Sequence, residues 1–379
     1  MTARRFDMFA TTRPAASRSR CGDSRRRAPL LAVLWILAAA PIALAAPPDP
    51  AHPRCPAPEA RAFDFWIGEW DVVNLGLEPD RSWAETGRAS ARVVPVLRGC
   101  AIVEHWRGTA WGRKTIGFSV RAWDPAEQAW VLILNWPDQG RPSFGELEGT
   151  FRHGRGELFF EGRDPEGNPQ HHRYSFSDIT PSSLRWDAAS SSDGASWLTT
   201  WIMEFTRRPG AAPALYHGPW IDDGPERGCA GADVAAMDFL AGSWRGTETV
   251  HEPAGQAPRS VRLEVYPILE GCALMDREWS GEDEERFAVR SWDAPREQWV
   301  EYALRSGPHG FVRAAGQVSG ARAELLVGAA EEGVEPGRRI VYERTDGGVV
   351  RREERWRQSG WEPVRTLELE PTFYGDQER

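Results

Sequence analysis

Glu104-His105-Trp106 sets a carboxylate, an imidazole and an indole side by side. In an extended strand side chains alternate, so Glu104 and Trp106 share one face and His105 takes the other. A carboxylate turned inward beside an indole could hold the polar end of a ligand. With its pKa raised by burial it could also serve as a general acid. The plainer role is a rim salt bridge to an arginine such as Arg121 or Arg290. A second pair, His171-His172, precedes Tyr174. Neighbours on a strand point to opposite faces, so the two cannot readily ligate one metal. One of them, taken as His171, could face inward and ligate a haem iron. The alternative is a solvated loop pair after Gly167-Asn-Pro. The sequence implies no other cofactor and no metal.

Tryptophan supplies the largest stock of recognition surface, 19 residues in the chain. Indoles combine a wide apolar face with one N–H donor. Trp66, Trp70, Trp106, Trp123, Trp130, Trp136, Trp186, Trp197 and Trp201 crowd the first half. Trp123, Trp130 and Trp197 recur later as Trp292, Trp299 and Trp361, which marks them as structural. Trp66, Trp136, Trp186 and Trp201 have no aromatic counterpart and are better candidates to line a pocket. The candidate ligand-contacting set is therefore Glu104, Trp106, Trp66, Trp136, His171, Trp186 and Trp201.

Familiar enzyme signatures are absent. There is no Gly-x-Ser-x-Gly elbow, P-loop, His-Glu-x-x-His or GxGxxG opening a helix. Of 46 basic residues only Lys114 is lysine, a bias that reads as codon composition. Glu282-Asp-Glu-Glu285 reads as a solvated hairpin tip.

Two phrases reveal how these residues are organised. Phe63-Asp-Phe-Trp-Ile-Gly-Glu-Trp70 returns as Met237-Asp-Phe-Leu-Ala-Gly-Ser-Trp244, 174 positions on. Pro95-Val-Leu-Arg-Gly-Cys-Ala101 returns as Pro267-Ile-Leu-Glu-Gly-Cys-Ala273, and Arg121-Ala-Trp-Asp as Arg290-Ser-Trp-Asp. By Trp197 and Trp361 the offset has drifted to 164, as insertions in turns would produce. Colinear matches over the whole length indicate a duplicated domain of about 150 residues, large enough for its own core. The expected organisation is a signal peptide over 1–45, a first domain over 55–208, a Pro/Gly-rich linker over 209–228 and a second domain over 229–374.

Arg25-Arg26-Arg27 precedes the apolar run Leu30–Ala46, and small residues follow at Ala43-Leu-Ala45. This is the layout of a cleaved secretory signal, with an uncleaved N-terminal anchor as the alternative. Loss of residues 1–45 removes eight arginines and two aspartates, leaving 38 basic and 53 acidic residues and a net charge of about −15. That charge argues against nucleic acid or anionic lipid as partner.

Each half reads as strand after strand. Val261, Leu263 and Val265 alternate with polar neighbours, and 129–136, 156–162, 339–344, 349–356 and 364–369 are further strand-like runs. Asp164-Pro-Glu-Gly-Asn, Asp193-Gly and Asp346-Gly-Gly punctuate them. Even spacing without long helical periods predicts an all-β fold, with a sandwich or a closed meander barrel in each half; the repeated Gly-x-Trp phrase favours two tandem antiparallel barrels, whose closure leaves no exposed edge. A short apolar segment followed by Gly-x-Trp and a strand resembles the opening of lipocalin-like barrels, and that resemblance implies that Trp70 and Trp244 plug the closed ends. Beyond the signal the cysteines are Cys55, Cys100, Cys229 and Cys272, with Cys55 and Cys229 each eight residues before the repeated phrase. The repeat selects Cys55–Cys100 and Cys229–Cys272 from three possible pairings; two pairs of buried free thiols are the alternative.

Phe-Asp-Phe-Trp-Ile-Gly-Glu-Trp-Asp-Val, Gly-Cys-Ala-Ile-Val-Glu-His-Trp, Ala-Trp-Asp-x5-Trp-Val and Ser-Asp-Gly-x-x-Trp together resemble a secreted bacterial family of unknown function with a lipocalin-like (calycin) barrel. The resemblance covers about residues 55–208. The second copy departs from it, with Leu240 in place of Trp and Ser243 in place of Glu. It implies a lipocalin-like fold and an exported location, and no activity.

The expected function is that of a periplasmic or secreted binding protein. Its Trp-lined barrels would take a small hydrophobic or amphipathic ligand, and the mature chain would not span a membrane. The alternatives are an interaction scaffold whose barrels are filled by their own side chains, or an envelope enzyme using Glu104 with His105 or His171.

Overall fold

The computed structural model describes residue 55 and residues 57–372, apart from 138–141, 164–166, 210–228, 230, 253, 281–283, 308, 329–336 and 359. The expected signal peptide and all but Pro209 of the linker lie outside the described residues. The strands of the first half are β1 Gly68–Leu77, β2 Trp83–Val96, β3 Ala101–Ala110, β4 Arg113–Asp124, β5 Ala129–Asn135, β6 Phe144–Arg152, β7 Arg155–Arg163, β8 Pro169–Ser177, β9 Ser183–Ser191 and β10 Leu198–Arg207. Those of the second are β11 Gly242–Val250, β12 Arg259–Ile268, β13 Ala273–Ser280, β14 Glu284–Asp293, β15 Gln298–Arg305, β16 Val312–Ser319, β17 Arg322–Val327, β18 Arg338–Arg344, β19 Val349–Arg357 and β20 Gly360–Pro371. Each set forms a closed antiparallel meander, first strand paired with last. The fold is therefore the expected pair of tandem lipocalin-like barrels, with ten strands in each.

Closure at one end of each barrel comes from the segment before the first strand. Phe63 and Trp66 in the first copy, and Met237 and Leu240 in the second, are buried beneath it. Trp70 Nε1 donates to the Trp66 carbonyl at 2.8 Å, and Trp244 Nε1 to the Leu240 carbonyl at 2.8 Å. The Arg207 guanidinium lies 4.0 Å from the Trp70 ring and donates to the carbonyls of Phe65, Ile67 and Pro181. In the second barrel Pro371 pairs opposite Trp244 where the first pairs Arg207 opposite Trp70, so that tie is lost.

Both expected disulfides are present. Cys55–Cys100 joins the plug segment to the β2–β3 corner, and Cys229–Cys272 does the same at β12–β13. Loops of 45 and 43 residues are closed. On the chain-entropy model each bridge stabilises by about 4 kcal/mol. Bridged cysteines fit an oxidising compartment. No helix among the described residues is long and apolar enough to cross a membrane.

The barrels also share a core outside either lumen. Val94, Val103, Phe118, Val120, Val131 and Ile133 on the outer face of the first barrel belong to one buried cluster with Ile268, Met275, Phe287, Val289, Val300, Tyr302 and Leu304 of the second. The sheet register makes Val103, Phe118 and Val120 the counterparts of Met275, Phe287 and Val289, so equivalent faces meet. This explains why β3 and β5 are buried on both faces and read as near-continuous apolar runs.

Candidate functional site

The lumen of the first barrel is aromatic. Trp106 from β3 packs on Trp136 after β5, with ring centroids 5.0 Å apart. Trp136 is 5.9 Å from Trp201 of β10, Trp201 is 5.1 Å from Trp186 of β9, and Trp186 is 4.7 Å from Tyr174 of β8. Glycine makes room for these indoles: a Cβ at Gly117 would come within 2.8 Å of the Trp136 ring. Asn74, fully buried on β1, donates to the Thr109 carbonyl and accepts from Trp201 Nε1 at 3.1 Å, fixing that ring.

Towards the open end this stack floors a cavity of about 620 Å³, within the usual range for small-ligand sites. Leu134, Trp136, Tyr174 and Trp201 line it from the lumen, and Trp111, Arg113 and Lys114 from the β3–β4 hairpin form its rim. The turn residues Trp111 and Gly112 have φ of 48° and 68°, as a two-residue type I′ hairpin requires. It presents a half-exposed indole whose ring centroid is 4.9 Å from that of Trp201. Lys114, the chain's only lysine, pairs with Glu270 of the second barrel across the rim.

At the closed end lies the one ion pair of this lumen among the described residues. Arg121, 1% exposed, sits 4.0 Å over the Trp66 ring and 3.1 Å from the Glu104 carboxylate. Ser119 Oγ donates to the same carboxylate oxygen at 2.8 Å. Burial raises the Glu104 pKa against the opposing pull of Arg121 and Ser119, and burial lowers that of Arg121 to about 10. The salt bridge to Arg121 anticipated for Glu104 is thus formed, deep in the lumen.

Of the residues singled out from sequence, Trp136 and Trp201 line the cavity, and Trp106 and Trp186 pack directly behind them. Trp66 and Glu104 lie at the plug. His171 faces outward, its Nδ1 2.7 Å from Glu161. It is His172 that turns to the lumen side, stacked on Phe160 with centroids 4.4 Å apart, and burial lowers its pKa. His105 lies on the opposite face of β3 from Glu104, its ring centroid 5.3 Å from that of Phe118, and burial, reinforced by Arg92, lowers its pKa to about 3. Trp111 escaped the sequence reading, although an indole beside glycine at a hairpin tip is a legible signal.

The second lumen is ionic. Register pairs Trp106 with Gly117 and Glu278 with Arg286, so Glu278 occupies the place of Trp106. Trp279, the next residue along and the only tryptophan of β13, is one residue out of phase and stacks on the outer face with Arg262 and Arg277. By the same registers Trp136, Trp186 and Trp201 are replaced by Arg305, Arg351 and Arg365. Arg290 Nη2 is 2.6 Å from Asp276, and its Nε is 2.9 Å from Glu301. Arg286 pairs with the same two acids, and Arg351 with Glu278. Tyr342 donates to Glu301 at 2.6 Å. Burial alone would raise the pKa of Glu278 and Glu301, but the adjoining arginines hold both at about 2. Among the described residues the tryptophans that line a cavity thus all come from the first barrel, with Glu270 and Cys272 of the second half completing its edge. Glu285, expected at a solvated tip, is buried at the start of β14 and accepts from Arg277.

Fold and site together define a tandem lipocalin-like barrel protein with one aromatic mouth. No family model and no curated protein matches the chain. Among solved structures the chain is similar to the S-type phycobiliprotein lyase CPES from Guillardia theta, at 12% identity over 39% of this chain and 91% of that one, TM-score 0.29. It is similar to Rv2717c from M. tuberculosis at 14% identity over 40% and 98%, TM-score 0.28. It is also similar to a DUF3598-family protein of unknown function from Nostoc punctiforme, at 11% identity over 83% and 100%, TM-score 0.24.

Proposed function

We propose that the first barrel is a binding module for a small hydrophobic or amphipathic molecule, held at its open end in an exported protein. The cavity of about 620 Å³ floored by Trp136, Tyr174 and Trp201 carries this reading. Apolar and aromatic walls with a few placed polar groups are the usual make-up of such sites. Stacking on indoles favours a ligand with a flat or unsaturated body, and the rim, where Lys114 is paired with Glu270, offers it polar contacts of both signs. The same geometry speaks against acid–base catalysis by Glu104. That carboxylate is committed to Arg121 and Ser119, and the histidines proposed as its helpers face away from it. Deeper down the tryptophans fill the lumen themselves, so the scaffold reading describes the closed end and the binding reading the mouth.

The test is titration with the neutral dye N-phenyl-1-naphthylamine, read by energy transfer from tryptophan. Saturable binding is expected, weakened about ten-fold by Trp201→Leu or Trp111→Ser, in line with about 1.4 kcal/mol per decade. Absence of saturation, or wild-type affinity retained by both variants, would refute the assignment.

A further inference from the structure

The polar groups around the first barrel's cavity divide into those already engaged and those left open. Trp201 Nε1 is committed to Asn74, Thr115 Oγ1 donates to the Arg113 carbonyl, and Lys114 pairs with Glu270. Tyr174 and Trp136 differ from these. Both line the cavity, yet among the described residues neither the Tyr174 hydroxyl nor the Trp136 indole N–H has a hydrogen-bond partner. Tyrosine hydroxyls and indole N–H groups that leave bulk water ordinarily find one, because an unmade hydrogen bond there is costly.

The Tyr174 ring cannot easily turn away to look for a partner. Its centroid is 4.7 Å from that of Trp186 and 5.8 Å from that of Phe160, both in edge-to-face contact. Burial pushes its pKa up to about 12, so the group is a neutral phenol at any ordinary pH. An indole N–H can only donate. The open polar groups on the aromatic wall are thus hydrogen-bond donors. In the second barrel Ile340 takes the register position of Tyr174 and Arg305 that of Trp136, so both open donors belong to the copy with the aromatic wall.

We infer that the ligand of the first barrel is a flat conjugated carbonyl compound, an aromatic ketone or quinone, whose oxygen accepts from the Tyr174 hydroxyl while its rings lie against Trp136 and Trp201. This rests on the binding reading above and adds the chemical class of the ligand. A donor on an apolar wall fixes orientation only if the ligand brings an acceptor. A carbonyl does so without setting a net charge against indole rings, where burial of a bare carboxylate is expensive. An anion at this mouth would also have to compete with Glu270 for Lys114.

Titration with two naphthalene dyes tests it: N-phenyl-1-naphthylamine, which has no carbonyl, and 6-propionyl-2-dimethylaminonaphthalene, which has one. Tyr174→Phe removes one oxygen and keeps the ring. It should weaken the ketone dye about five-fold, as loss of one hydrogen bond does, and leave the amine dye within about two-fold. A donor to the ketone moves that dye's emission to the red, so the emission of the bound ketone dye should shift to the blue in the variant. Ketone-dye affinity within about two-fold of wild type in Tyr174→Phe, equal weakening of both dyes, or emission from the wild-type complex matching that in toluene would overturn the inference. Saturable binding of the amine dye with none of the ketone dye would overturn it too, and leave the binding reading standing. If neither dye saturates, the binding reading itself fails and this inference with it.

Discussion

Two barrels of one duplicated design have filled their lumens with opposite materials. Around Trp70 and Trp244 the plugs are alike, the disulfides correspond and the outer faces meet through equivalent residues. Inside, Trp106, Trp136, Trp186 and Trp201 in one become Glu278, Arg305, Arg351 and Arg365 in the other. The sheet register and the shared core constrain the fold; the lumen positions are left free to diverge. Indoles fill space by dispersion and leave an apolar mouth. Guanidinium and carboxylate groups fill it only when each charge is matched, because an unmatched buried charge costs several kcal/mol.

The largest predicted contrast is between the two deep arginines. Arg290→Met leaves Arg286 alone to serve both Asp276 and Glu301 in a buried lumen and should destabilise by about 3–5 kcal/mol, read from urea midpoints. Arg121→Met leaves only Glu104, whose raised pKa lets it take up a proton, and should cost about 1–2 kcal/mol. Equal costs would mean that the second network is no more coupled than the first ion pair.

Acid separates the shared core from the lumens. His105 is held neutral, its folded pKa of about 3 lying below the ordinary 6.5. Its contribution is full above pH 6.5 and is lost as pH falls towards 3, about 2–3 kcal/mol of it by pH 4.5. Glu278 and Glu301, held at about 2, contribute fully above the ordinary carboxylate value of 4.5 and lose that contribution only below it. Glu104 acts in the opposite sense: with its folded pKa raised, its contribution is present below the ordinary value and is lost as pH rises through the folded one. Urea midpoints of wild type and His105→Gln between pH 7 and 4.5 should therefore diverge, with the variant nearly flat. A parallel fall in both would place the titrating group elsewhere.

Much of this was legible beforehand. The duplication, the strand-rich halves and both cysteine pairs follow from spacing, because a duplicated domain repeats its landmarks, and the plug tryptophans from the resemblance to lipocalin-like barrels. Trp136 and Trp201 stood out because the second copy lacks them. What escaped turned on parity. Whether His171 or His172 faces inward, and whether Trp279 or Glu278 succeeds Trp106, depends on a register that a one-residue slip reverses. The apolar runs of β3 and β5 announced burial on both faces but not that the other barrel covers one of them. The arginine bias, read as codon usage, contained the entire second lumen.

Trp111→Ser is the mildest change. It removes a half-exposed indole and keeps a non-glycine residue at the same positive φ, so stability should move by less than about 0.5 kcal/mol. A larger loss would make that indole part of the barrel's packing and not a rim group.

The central claim, that the binding mouth belongs to the first barrel, is tested most directly by one affinity in three proteins. Wild type, Trp111→Ser and Arg338→Gln are each titrated with N-phenyl-1-naphthylamine. Trp111→Ser should weaken the dye about ten-fold and Arg338→Gln, in the second barrel, should leave it unchanged. Equal weakening by both substitutions, or by neither, would contradict a binding mouth confined to the first barrel.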